Sequence, residues 1–211
     1  MEYYLFCEDP ELLEIAKRIC GLYLDPPQDR LLLCYDERTA IQARECFKIL
    51  PALPGYPEKQ DFHYRRHGKK DLLAVFEVTT GKVFGKCYDR HRQWEFLDFL
   101  KRVRKRYKGK KVTIILDNLR SHKTPAVRKW LKEQKGDVEF VFTPLHASWL
   151  NQIEIWFREL NQKCLKRLSV ASTEELSIKV HEWIKTYDKF FAHPYDWKSE
   201  GILKKHVENA A

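Results

Sequence analysis

Five consecutive apolar or β-branched residues, Val112 to Leu116, stop abruptly at Asp117. Continuous apolar character of this length reads as a fully buried strand, here delivering one carboxylate at its C-terminal end. Asn118 follows, and a loop with Ser121 and His122 leads to Thr124-Pro125, a cap and first-turn pair that opens a helix. In an open α/β sheet, the junction of strand end and helix start is where ligands sit. A second apolar run, Leu31 to Tyr35, again ends on an acid, Asp36, before Glu37, Arg38 and Thr39 and a short segment with Ile41, Ala43 and Phe47. Taken singly, either aspartate could do no more than cap a turn. The question is whether further acids converge on them.

The other periodicities complete an α/β chain. Leu12, Leu13, Ala16, Ile19 and Cys20 recur at helical spacing and predict a helix from 10 to about 23 that packs on the sheet. Residues 50 to 71 hold Pro51, Pro54, Gly55 and Pro57 and then the basic cluster His63 to Lys70, with no period of either kind. They predict a long basic loop in which Arg65 and Arg66 suit contact with phosphates. Leu72 to Val78 and Lys82 to Tyr88, joined by Thr79-Thr80-Gly81, predict an antiparallel hairpin. Trp94, Leu97, Leu100, Val103 and Tyr107 share one face of a helix over 91–107.

Beyond the central strand, Val127, Trp130 and Leu131 predict a helix ending near Gly136, and Val138 to Thr143 a further strand stopped by Pro144. Trp149 to Leu168 predicts one long amphipathic helix with Ser148 as its cap. At about 100° per residue, Glu154 lies roughly 40° outside its apolar stripe and so can point along the buried boundary. Ser172-x-x-Glu175 is a capping box, opening a last helix with Leu176, Val180, Trp183, Ile184, Tyr187 and Phe191 on one face. His193-Pro194 closes it, and Trp197 is expected to tuck back.

Charge points to the partner. The formal net charge is +9 with a pI near 9.2, which favours a polyanion. Lys101 to Lys111 holds eight basic residues in eleven positions and no acid, more than the end of a helix dipole calls for, so Arg104, Lys105, Arg106, Lys108, Lys110 and Lys111 form a candidate patch for a DNA backbone. No apolar run reaches the ~18 residues of a membrane span and the start is not a signal peptide, so a cytoplasmic protein is expected. The six cysteines contain no C-x-x-C and suit buried thiols, not zinc.

Three acids on three separate elements, Asp36, Asp117 and Glu154, fit one chemistry: carboxylates on rigid elements holding divalent ions through oxygen. Asp36 in CYDERTAIQA, Asp117 in ILDNLRSH and Glu154 in TPLHASWLNQIEIWF resemble the three acidic motifs of DDE transposases, in particular the bacterial insertion-sequence branch of the Tc/mariner superfamily. Thirty-seven positions separate Asp117 from Glu154, and Pro144, Trp149, Asn151, Glu154 and Trp156 together make the third motif highly specific. The likeness runs over nearly the whole chain, including Arg65-Arg66-His67-Gly68 and His193-Pro194-Tyr195-x-Trp197.

The resemblance implies an RNase H-like α/β fold: a mixed five-stranded sheet, its first three strands antiparallel and its last two parallel, flanked by helices. It implies a metal-dependent enzyme that hydrolyses DNA at transposon ends and transfers the 3′-hydroxyl into target DNA as a homodimer, using two Mg²⁺ ions for which Mn²⁺ can substitute. Asp36, Asp117 and Glu154 would be the ligands, with Asp36 the bridge. Asn118, His122 and Asn151 match motif positions and would support the ligands or touch DNA, as would Arg65 and Arg66. The enzyme would be cytoplasmic and associated with the nucleoid when acting. Such proteins carry N-terminal helix-turn-helix modules, for which the roughly 30 residues before the first catalytic strand leave no room, so a single catalytic domain over 1–211 is expected. A non-catalytic DNA-binding remnant and an RNase H-like nuclease remain as other readings, and strand joining separates the last from a transposase.

Overall fold

The computed structural model describes residues 10–47, 49–57, 59–61, 63–144 and 147–196. In chain order these form α1 (Pro10–Leu24), β1 (Arg30–Cys46), β2 (Ile49–Leu50), β3 (Lys59–Gln60), β4 (Tyr64–Glu77), β5 (Val83–Tyr88), α2 (Gln93–Arg106), β6 (Lys111–Leu116), α3 (Pro125–Glu133), β7 (Val138–Phe142), α4 (Ile153–Lys163) and α5 (Thr173–Phe190). The main sheet has the order β5-β4-β1-β6-β7. β4 is antiparallel to both β5 and β1, whereas β6 is parallel to both β1 and β7, the mixed sheet expected.

Alternation along the strands explains why helices cover both faces. Leu32, Cys34, Leu72, Ala74, Phe76 and Ile115 pack with α1, α4 and α5 on one side, while Leu33, Tyr35, Leu73, Val75, Ile114 and Leu116 pack with α2 and α3 on the other. Leu32 through Tyr35, Leu72 through Phe76, and Ile115 and Leu116 are wholly buried. This is why the sequence shows unbroken apolar runs at these strands.

Four expectations are corrected. The first strand does not end at Asp36 but continues to Cys46. Its ladder with β4 shifts between Arg38 and Ile41, where Ala40 takes a left-handed φ of 55° and donates its N–H to the buried carboxylate of Asp71 at 2.7 Å. That bulge bends the strand without ending it. The basic cluster is no loop: Arg65 and Arg66 lie in β4 opposite Glu45 and Arg44. Beyond the bulge, β1 still buries Ile41 and Ala43, but the facing stretch of β4 from Tyr64 to Lys70 has no buried residue, so no buried side remains there to write a period of two into the basic cluster.

In α2 the buried side is Phe96, Leu97, Phe99, Leu100 and Val103, and Trp94 is 67% exposed. The predicted 149–168 helix is three pieces: a 3-10 turn over Ser148–Leu150, α4, and a 3-10 turn over Leu165–Arg167. Ser148 therefore caps nothing; Asn151 and Gln152 make the junction instead.

The hairpin turn is as expected. Gly81, at φ +72°, donates its N–H to the Glu77 carbonyl, and a Cβ there would stand 2.0 Å from the His193 carbonyl oxygen, so only glycine lets the C-terminal segment lie across the turn. Ser172 caps α5 by accepting from the Glu175 N–H, while the Glu175 carboxylate reaches back one residue further, to the Ala171 N–H. The residue seen to tuck back is Tyr195, stacked on Phe76 with its hydroxyl on Glu159. Trp197 and the His146 of the third motif lie outside the described residues. Among the described residues no helix is long and apolar enough to cross a membrane, and no cysteine is in a disulfide.

Candidate active site

Asp36 sits in mid-strand, and the parallel register Cys34↔Ile115 carried two residues on sets it beside Asp117, where β6 ends. Adjacent positions of neighbouring strands are about 4.8 Å apart, so two acids meet there because of register alone. Glu154 comes from the first turn of α4, which is brought to the same edge by a chain of contacts. The Tyr23 hydroxyl of α1 donates to the Leu150 carbonyl at 2.8 Å, and the Glu154 N–H donates to the Asn151 carbonyl. Asn151, wholly buried, gives its side-chain N–H to the Tyr35 carbonyl at 2.8 Å and lies 3.5 Å from Asp36 Oδ2. One asparagine thus ties the start of α4 to the strand that bears Asp36.

The electrostatics of this edge are unusual. Asp36 keeps its Oδ1 on the Glu37 N–H at 2.8 Å, yet its pKa is raised to about 8, first by burial and then by the negative charges of Glu37, Glu154 and Asp117. Among the described residues no lysine or arginine pairs with Asp36, Asp117 or Glu154. The cation that does reach the cluster is His122, which is fully enclosed. Its Nδ1 is 3.0 Å from Asp117 Oδ1 and its Nε2 is 3.0 Å from Glu37 Oε1. Burial opposes charge on this ring, but the two carboxylates outweigh it and hold the pKa near 9.

A divalent ion fits this donor set. The acids offer only oxygen, as Mg²⁺ and Mn²⁺ prefer, and a carboxylate driven to about 8 by burial and like charge is what a cation would relieve. Asn151 Oδ1, on the side chain that lies 3.5 Å from Asp36, is also buried with no hydrogen-bond partner, so polar capacity at this edge is left over.

The other candidates divide. Asn118 is half-buried next to Asp117. His122 and Asn151 point inward onto the acids and are closed to solvent, which leaves them no surface for touching DNA. Arg65 and Arg66 stand exposed on the β1/β4 ribbon, with Arg66 and Arg44 over the Tyr64 ring. The Lys101–Lys111 patch lies at the opposite end of β6, about 20 Å from Asp117 along the strand. There Arg104 donates to the Lys110 carbonyl and pairs with Asp137, Lys111 is 3.5 Å from Asp29, and Lys105, Lys108 and Lys110 are exposed. Nearer the acids, a groove of about 110 Å³ is lined by Arg38, Glu154, Phe157, Arg158, Asn161 and Gln162.

Sequence reasoning missed Glu37 and Arg38. With β1 assumed to stop at Asp36, both read as turn residues. The signal was the alternation itself: a strand passing through the acid puts Tyr35 and Glu37 on one face and Asp36 on the other.

Residues 31–177 match the family described as DDE superfamily endonuclease. An insertion element IS630 uncharacterized 39 kDa protein from Shigella sonnei is 28% identical over 120 residues, which cover 56% of this chain and 35% of that protein. A Mos1 transposase paired-end complex with the left transposon end superposes with a TM-score of 0.61 at 17% identity, covering 88% of this chain and 58% of that one. The Mos1 transposase catalytic domain solved with raltegravir and Mn gives 0.57 at 16% identity, covering 90% and 88%. At these identities the two solved structures establish a shared fold, that of RNase H-like catalytic domains. The chain spans about a third of the length of the curated relative it matches.

Proposed function

Because this chain belongs to the DDE superfamily endonucleases, we propose that it is the catalytic part of a transposase that cuts DNA at transposon ends and joins the cut ends to a target. The observation that carries this reading is the meeting of Asp36, Asp117 and Glu154, from β1, β6 and α4, at one edge with no lysine or arginine paired to them among the described residues. We further propose that Asp36, Asp117 and Glu154 would hold two Mg²⁺ or Mn²⁺ ions. Bound there, the ions would supply an activated attacking oxygen on one side and charge relief for the leaving oxygen on the other.

The chain's own residues do the rest. Asn151 holds Asp36 in place from the tyrosine carbonyl at its back, and the start of α4 presents Glu154 from the far side. Arg38 and Arg158, in the groove beside Glu154, are placed to take phosphates next to the scissile one, and Arg44, Arg65 and Arg66 extend positive charge along the ribbon. Hydrolysis consumes one water and leaves a 3′-hydroxyl and a 5′-phosphate. In joining, that hydroxyl attacks a target phosphodiester and releases a target 3′-hydroxyl, one phosphodiester exchanged for another, so no external energy source is needed. The paired-end complex of Mos1 supports a reading in which two copies act together on DNA.

The test is nicking and joining of a supercoiled plasmid with Mn²⁺. Asp36→Asn and Asp117→Asn should each lower nicking by more than about 10²-fold, since losing a ligand exceeds the 10- to 100-fold cost of losing a ligand's support. Full activity in either variant would refute the site, and nicking without any joined product would favour a nuclease.

A further inference from the structure

Between the acids and the α2 side of the sheet lies a run of hydrogen bonds that the reaction as proposed does not use. The Tyr35 hydroxyl donates to Glu37 Oε1 at 2.8 Å, and Glu37, with its side chain 4% exposed, faces His122 Nε2 at 3.0 Å. The opposite ring nitrogen of His122 faces Asp117 Oδ1 at 3.0 Å and the Asp117 carbonyl at 3.3 Å. The imidazole is clamped between Tyr35, edge-on at 5.4 Å, and Phe96, whose ring centre is 4.3 Å away. Asp117 Oδ1 also accepts from the Leu119 N–H at 3.3 Å, so this oxygen is held from two sides. Its Oδ2 has no hydrogen bond among the described residues.

We propose that Glu37 and His122 are positioning residues that fix Asp117 by one oxygen and so present the other to a divalent ion. This rests on the reading of Asp36, Asp117 and Glu154 as metal ligands and adds residues that do not touch the ion. Glu37, Asp117 and His122 bring one atom each within 4.8 Å of one another, close enough to suggest an ion among them. Each of the three facing atoms is already committed to another of the set, and Mg²⁺ and Mn²⁺ choose oxygen over imidazole. The cluster therefore holds its own ring, and the ring orients the acid. Such outer partners are common behind metal ligands, and their loss typically costs 10- to 100-fold in metal affinity.

The experiment is Mn²⁺ titration of the full chain, counting free ion by electron paramagnetic resonance, for wild type, Asp117→Asn, Glu37→Gln, His122→Gln and the Glu37/His122 double variant. Glu37→Gln and His122→Gln should each weaken Mn²⁺ binding by about 10- to 100-fold. The double variant should be no worse than the weaker-binding single, because the two act as one chain. Tyr35→Phe keeps the ring packing and removes one hydrogen bond from Glu37, and should weaken binding less but in the same direction; it covers the case in which a buried charge change prevents folding. Melting curves verify that each variant is folded. If wild type binds Mn²⁺, Asp117→Asn does not, and all three positioning variants bind as wild type, the positioning role is wrong while the acid site stands. If wild type binds none, the acid site is wrong and the positioning role falls with it. A directly bound imidazole nitrogen seen in the pulsed spectrum of wild type would make His122 a ligand and overturn the proposal.

Discussion

The two ends of the parallel pair β1/β6 share one backbone pattern and meet their charges in opposite ways. At the starting end, Arg30 pairs with Glu139, Arg104 with Asp137, and Lys111 lies near Asp29. At the finishing end, Asp36, Glu37, Asp117 and Glu154 lie close together, and the one cation among them in the described residues, the enclosed His122, reaches only Glu37 and Asp117. A partly buried carboxylate without a cation lowers stability, so a sequence selected for folding alone would pair these acids or replace them with apolar groups. The starting end is built as structure. The finishing end gives up stability for something that binds there, and that difference locates the site more surely than the acids' positions in the sequence do.

The comparison breaks or holds first on Asp36. In protein stripped of metal by chelator, its folded pKa of about 8 lies above its ordinary 3.8, so the native state keeps a proton that the unfolded chain has released. The contribution is therefore fully favourable below about pH 4 and is lost as pH rises through about 8. Asp36→Asn should remove this downward slope relative to wild type. At pH 8 it should be the more stable protein by up to a few kcal/mol, because each tenfold difference in proton affinity between the folded and unfolded chain is worth about 1.4 kcal/mol. Urea unfolding of both proteins at pH 5 and pH 8 measures it. Parallel behaviour would mean that Asp36 is already satisfied within the fold, and the contrast between the two ends would vanish.

Arg104 sharpens the same contrast from the other end, with a smaller effect of opposite sign. Its guanidinium donates to the Lys110 carbonyl and pairs with Asp137, joining the end of α2 to the loop before β7. Arg104→Ala should destabilise by about 1.5–3 kcal/mol, the usual range for a lost charged hydrogen bond. Plasmid nicking at saturating Mn²⁺ should be unchanged. Lost nicking in a variant with wild-type stability would move Arg104 from structure to function.

How much of this was open to sequence reading follows from where solvent lies. The sheet's core strands, the α1 helix and the hairpin were legible because burial on one or both faces writes a pattern into the residues. The β1/β4 ribbon was not, since Arg65 and Arg66 sit in a ladder held by backbone bonds that leave no trace in side-chain type. The break at Asn151 and Gln152 was hidden for the opposite reason: both are buried polar residues inside an apolar stripe, and the stripe reads on as if the helix did. Asp36, Asp117 and Glu154 stood out as acids ending apolar runs or flanking a stripe. Glu37 did not, because its role depends on the strand continuing through the first acid and on a ring eighty-five positions away.

The smallest expected effect concerns the three lysines at the starting end that stand free of the ion pairs there, Lys105, Lys108 and Lys110, all exposed. If this patch carries a DNA backbone past the domain, each lysine that neutralises a phosphate contributes about 0.9 to the slope of log affinity against log salt. Replacing all three with alanine should then lower that slope by at most about 2.7, while the cleavage rate at saturating DNA stays as in wild type. The separation follows from geometry: about 20 Å of strand lies between the patch and Asp117, too far for these charges to act on the bond being cut at physiological salt. Fluorescence anisotropy with a labelled duplex across a salt series supplies the slope. An unchanged slope would confine DNA to the finishing end, to the groove of Arg38 and Arg158 and the ribbon of Arg65 and Arg66, and the run of eight basic residues would be only the solvated end of α2. A changed slope accompanied by slower cleavage at saturation would mean instead that DNA bound at one end sets the geometry at the other, and the two ends could no longer be treated as separate.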